Sequence, residues 1–290
     1  MLSMISLEII NRPAKYDDMP EQGLALGENN LMAFNPNQSY RTVQAGYAAV
    51  GSAALDAGLR AYMLRVYNWM ASGLVLTGII AYAVANTALI SLFYHQVPTP
   101  QGALVMQPTL LGYAAIFLPL VFVMVLSIGI NKLSTSNAQA LFWGFCAAMG
   151  LSLANIFLIY TAVSIAAVFF ITAGMFAGTS LYGYVTKRDL TSWGSFFFMG
   201  LIGILIAMLV NFFLKSPVMY YVISVIGVFV FLGLTAYDTQ RIKTTYIQFG
   251  SSYGVEVAGK RSVYDALTLY LNFINMFMFM LQLFGQRGQR

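Results

Sequence analysis

Ten acidic side chains occur in this chain, and six of them precede residue 60. The other four are Asp189, Asp238, Glu256 and Asp265. Asp238 is set apart by what precedes it, the apolar run VISVIGVFVFLGLTAY. An ionisable group at the depth such a run implies is costly in a membrane and marks a candidate site by default. A carboxylate placed there can gate a water path, contact a cation such as calcium, or relay a proton. Burial favours its neutral form, and a hydrogen bond from an amide favours its charged form. The plainer alternative is an aspartate that only joins two helices through hydrogen bonds.

The residues after Asp238, TQRIKTTYIQF, are good helix formers up to Gly250, a natural C-terminal stop. A return helix starting near Lys260, after Gly259, would run antiparallel to it. Asp238 then lies eleven residues before the turn and Asn272 twelve after it, each about 17 Å from the turn at 1.5 Å per residue. This arithmetic places Asp238 opposite Asn272. Asp265 shares a face with Asn272, seven residues away, and sits about 10 Å nearer the turn. Asn155, Asn211, Thr235, Tyr237 and Asn275 are further polar residues in apolar surroundings. Helix packing is the simpler role for each.

Other chemistries lack their parts. Acid–base catalysis by an aspartate pair needs a second carboxylate, and the level position is Asn272. A serine nucleophile would need a buried histidine base, but the only histidine, His95, lies in the polar stretch FYHQVPTPQ. There is no phosphate-cradling glycine loop and no Cys/His metal spacing. The only cysteine, Cys146, sits in an apolar run and reads as core. The chain is therefore expected not to be an enzyme and to need no cofactor.

Such residues need a scaffold, and the composition names it. Of 290 residues, 59% are hydrophobic and 9% charged, with a mean hydropathy of +0.73. Soluble domains carry about 25% charged residues. The pattern is that of an all-α integral membrane protein, and it excludes a nucleic-acid binder despite the net charge of +5. Seven apolar segments approach the roughly 20 residues needed to cross a bilayer. They fall near 66–88, 109–130, 138–159, 163–185, 195–214, 218–238 and 264–284. Basic residues concentrate on the cytoplasmic side of membranes. With the amino terminus inside, twelve of the fifteen cations fall on that side. The expected topology is thus amino terminus cytoplasmic and carboxyl terminus outside. Residues 1–60 read as a flexible cytoplasmic tail with a short amphipathic helix near 43–60, and 61–290 as the membrane domain. Small residues such as Gly174 and Gly178 in GMFAG suggest close helix packing.

The string GLTAYDTQRIK resembles the signature of the Bax inhibitor-1 family, the transmembrane Bax inhibitor motif proteins. VYNWMASGLVLTG, TAGMFAGTSLYGYVTKRDL and ALTLYLNFINMFMFMLQLFG are similar to strings of its bacterial members. The resemblance covers about residues 60–287. It implies seven helices with the last one central, an inner or plasma membrane location, and a pH-sensitive calcium leak. It also implies a gate of two aspartates that share a proton. The first maps to Asp238. The second belongs to LYLDFIN, which here reads LYLNFIN, so Asn272 stands in its place. Asp265 is a secondary candidate for the second carboxylate. The resemblance equally allows a non-conducting regulator that binds other membrane proteins, in stress or protein quality control. The expected partners are thus the lipid bilayer, calcium or protons, and, in the regulator reading, other membrane proteins.

Overall fold

The structure is a computed structural model that describes residues 36–98, 104–129, 133–249 and 255–288. Its helices are α1 (Pro36–Ala85), α2 (Ile90–Phe93), α3 (Leu110–Gly129), α4 (Thr135–Leu153), α5 (Ile156–Ile159), α6 (Ala162–Val185), α7 (Thr191–Leu214), α8 (Pro217–Phe249) and α9 (Val255–Phe284). A two-stranded antiparallel hairpin, β1 (Tyr94–Pro98) and β2 (Leu104–Pro108), stands between α2 and α3.

Among the described residues, six helical stretches are long and apolar enough to cross a membrane by length and composition: Leu55–Ala85, Thr135–Ile159, Ala162–Val185, Thr191–Leu214, Pro217–Gln248 and Val257–Phe284. The segment expected at 109–130 corresponds to α3, whose apolar stretch, Leu110–Leu126, is shorter than these. α3 also holds Pro119, which cannot donate a backbone hydrogen bond within the helix. Helices are the form an isolated span must take, because each satisfies its own backbone in hydrocarbon. Large apolar side chains cover the outside of the bundle. On α7 these include Phe196, Met199, Leu209, Phe212 and Phe213. A surface of this kind suits lipid and would aggregate in water. The protein is a multi-pass membrane protein.

Local signals set several helix ends. Ser134 and Thr161 cap α4 and α6 by accepting from the backbone N–H of Asn137 and Ser164. At the KSP turn, Lys215 ends α7 in the left-handed conformation at φ 51°. Asn211 braces that turn by accepting from the Ser216 N–H at 3.0 Å. Pro217 then opens α8 at a position where its missing N–H costs nothing.

Several boundaries depart from the sequence reading. α1 runs unbroken from Pro36 to Ala85, so the short helix expected at 43–60 is part of one long helix through position 60. Residues 1–35 of the expected tail lie outside the described residues. The span expected at 138–159 is present as Thr135–Ile159, with a local break at Ala154–Asn155 that divides it into α4 and α5. The loop around His95 is a paired hairpin, with His95 opposite Gln107. α9 begins at Val255, earlier than Lys260. Gly259 is tolerated inside it rather than marking its start.

α9 is the most enclosed helix. Every residue from Ser262 to Ile274 is buried, and the helix packs on α8, α1, α6 and α4. Its carboxyl end folds onto the start of α6. Thr161 N–H donates to the Gln286 carbonyl at 3.0 Å, and Gln286 N–H donates to Ser164 Oγ at 2.9 Å.

Candidate functional site

Two antiparallel helices, α8 and α9, bring the site together. Asn272 Nδ2 donates to Asp238 Oδ2 at 2.7 Å. Asp238 is 0% exposed and Asn272 1%. The pairing expected from helix lengths is therefore present, although α9 starts earlier than expected. Asn272 lies seventeen residues after Val255, against eleven from Asp238 to Phe249, so the level pairing does not follow from the helix bounds alone.

The other carboxylate oxygen of Asp238 faces an arginine on its own helix. Arg241 Nη2 lies 3.0 Å from Asp238 Oδ1. The alignment is that of a charge contact rather than a directed hydrogen bond. Arg241 is 13% exposed and Asp238 0%, so the guanidinium lies between the buried carboxylate and the surface. A buried carboxylate needs pairing of this kind to stay charged.

Asp265 forms a separate cluster. Tyr62 of α1 donates its hydroxyl to Asp265 Oδ2 at 2.6 Å, and Arg261 Nε stands 3.4 Å from Oδ1. Tyr62 in turn stacks on Tyr246 of α8 with ring centroids 4.8 Å apart. Asp265 is thus engaged by α1 and by its own helix.

The remaining polar candidates separate from the seam. Asn275 donates to the Leu271 carbonyl on its own helix at 2.7 Å. Thr235 does the same to Phe231 at 2.7 Å. Tyr237 packs against α7 at Gly194 and lies 6.0 Å from the Arg241 guanidinium. Asn155 precedes α5 and makes no side-chain cap. Asn211 holds the α7–α8 turn, as described above.

The sequence reading missed the cations and one phenol. Arg241 and Arg261 were legible in principle, because they stand three and four residues from their aspartates, the spacing that places helical side chains together. Tyr62 carried no signal, being 203 residues from its partner. A hydroxyl chain was missed as well. Tyr67 and Ser180 lie 2.7 Å apart, and Ser180 and Thr239 2.9 Å apart, which ties α1 to α6 and α6 to α8 next to Asp238. Beside this chain a cavity of about 830 Å³ lies between α1 and α6. Its walls are apolar apart from Arg60, Tyr67, Ser180 and Tyr184.

A buried Asp-Asn pair in the segment AYDTQRIK…LYLNFIN can be compared with known proteins. The family profile described as "Inhibitor of apoptosis-promoting Bax1" matches residues 59–289. The chain belongs to the Bax inhibitor-1 family. Among similar relatives, inner membrane protein YbhL of Escherichia coli K12 is 46% identical over 80% of this chain and 94% of its own length. Protein RP147 of Rickettsia prowazekii is 45% identical over 80% of this chain and 92% of its own. Membrane protein SpyM3_0260 of Streptococcus pyogenes is 33% identical over 80% and 95%. The family region therefore begins inside α1, near Leu59, and contains every residue of both aspartate clusters.

Asp189, in the α6–α7 loop, accepts from the Thr191 hydroxyl at 2.6 Å and from its N–H at 2.9 Å. These bonds hold its carboxyl below the usual value, the side-chain bond most.

Proposed function

We propose that this Bax inhibitor-1 family member is a calcium leak whose gate residue is Asp238. In this reading α3 is a seventh span and α9 is the central helix. The chain sits in the inner membrane, amino terminus cytoplasmic and carboxyl terminus outside. Its partners are the bilayer and the permeant calcium ion or protons, and no catalytic step or cofactor is assigned to it.

The observation that supports this reading is the fully buried Asp238, held by Asn272 on one oxygen and Arg241 on the other. With Arg241 in place the carboxylate is neutralised and the seam is closed to cations. Movement of Arg241 outward, with separation of α8 from α9 at this level, would leave a carboxylate facing the path and able to contact calcium. Because Asn272 replaces a second aspartate, the site titrates as one group and not as a coupled pair. The response to pH is accordingly shifted or blunted.

The alternative is a non-conducting regulator that binds other membrane proteins. α1 supports it, because Pro36 to Gly58 form a helix ahead of the family region. Calcium flux by the purified protein in proteoliposomes separates the two. Flux abolished by Asp238→Asn supports the leak. Absence of flux, with a membrane-protein partner retained on affinity purification, supports the regulator.

A further inference from the structure

The loop between α6 and α7 and the adjoining end of α8 enclose a polar basin of about 580 Å³. Four cations border it: Lys187 and Arg188 from the loop, and Arg241 and Lys243 from α8. Asp189 also borders it, but its Oδ1 already accepts from the Thr191 N–H and hydroxyl. The basin thus carries a marked excess of positive charge.

Basic residues at a membrane face usually serve orientation alone. Here they surround a hollow of fixed shape. Gln240 of α8 grips the loop at two points. Its Nε2 donates to the Arg188 carbonyl at 2.7 Å, and its Oε1 accepts from the Leu190 N–H at 2.8 Å. Lys243 Nζ is anchored to the Tyr184 carbonyl at 2.7 Å. Guanidinium groups present paired donors that match phosphate oxygens, and lysine adds a point charge.

We propose that this basin binds a phosphate-bearing anion and that Arg241 couples its occupancy to Asp238. Arg241 borders the basin and also lies 3.0 Å from the buried carboxylate. An anion in the basin competes with Asp238 for the same guanidinium. The coupling gains its functional meaning from the reading of Asp238 as the gate, whereas the binding itself does not depend on that reading.

Inorganic pyrophosphate is the probe, titrated calorimetrically into the full-length purified protein in a neutral detergent. Saturable binding is expected, and it should weaken as salt rises. The double variant Lys187→Gln/Arg188→Gln alters two exposed side chains and should weaken it about tenfold or more. Asp238→Asn should tighten it, because Arg241 loses its competing carboxylate. Nanodiscs of phosphatidylglycerol and of phosphatidylcholine distinguish the source of the phosphate. Loss of pyrophosphate binding only in phosphatidylglycerol identifies a lipid headgroup, and binding in both identifies a soluble anion. The proposal is overturned if wild type shows no saturable binding, or if binding is indifferent to the loop variant or to Asp238→Asn. The readout uses no flux, so a protein that binds pyrophosphate but conducts nothing would sink the leak reading alone.

Discussion

Asn272 donates its amide to Asp238 across the α8–α9 interface, 2.7 Å from Nδ2 to Oδ2. An amide can hold a carboxylate in place but cannot share its proton. Asn272→Asp would set two carboxylates at that distance, and both cannot stay ionised there. The variant should bind one proton between the pair and show calcium flux that depends more steeply on pH than wild type. Flux across a pH series in proteoliposomes, for both proteins side by side, measures this. Identical profiles would remove the seam as the pH sensor.

The Arg241 contact makes a second prediction, about stability. Breaking a buried ion pair by removing one partner typically costs about 3–5 kcal/mol. Arg241→Gln leaves Asp238 buried with Asn272 alone and should fall toward the lower end, about 3 kcal/mol, because the carboxylate can take up a proton. Asp238→Asn/Arg241→Gln should recover most of that loss, since no unpaired charge remains. Denaturation of the single and double variants in detergent gives the coupling energy. A coupling near zero would show that the 3.0 Å contact does not hold the seam shut.

Much of this arrangement was legible because it depends on helix arithmetic. Gly250 predicts the end of α8 within a residue, and counting from Lys260 sets Asp238 against Asn272, a pairing the structure has although α9 starts earlier. Gly259 suggests a boundary that starts the return helix five residues late, whereas the packing of α9 on four other helices outweighs the modest cost of a helical glycine. The cluster of Tyr62 with Asp265 and the basin around Arg241 join elements distant in sequence. No periodicity reports such contacts. The hairpin at His95 is hidden for another reason: its strands are five residues each and each ends on a proline, so they read as a loop.

Outside the membrane, Asp189 predicts a pH effect of known sign. Its carboxyl is held low in the folded protein by Thr191. The stabilisation is therefore present above the ordinary carboxylate value and is lost as pH falls through the lowered one. Thr191→Ala removes the hydroxyl donor but keeps the backbone N–H. The Asp189 titration, followed by carboxyl carbon NMR, should move up partway toward its ordinary value. An unmoved titration would mean that the hydroxyl bond at 2.6 Å does not persist in solution.

The last prediction concerns where helices touch. The GMFAG motif suggested close packing at Gly174 and Gly178, but a Cβ at either position would meet nothing within 4 Å. Both face away from neighbouring helices. The close approach is at Gly183, where a Cβ would run into the carbonyl oxygen of Ala236 and meet its Cα and C at 2.9 Å. Backbone cannot step aside as a flexible side chain can, so Gly183→Ala must push α6 from α8. Overpacking of this kind costs about 1–3 kcal/mol. Gly178→Ala should instead stabilise by about 0.5–1 kcal/mol through the helix preference of alanine over glycine. Opposite signs for two glycines five residues apart are a strict test by thermal unfolding. Because Ala236 lies two residues before Asp238, Gly183→Ala should also disturb the Asp238–Asn272 hydrogen bond and change calcium flux, while Gly178→Ala should leave flux unaltered.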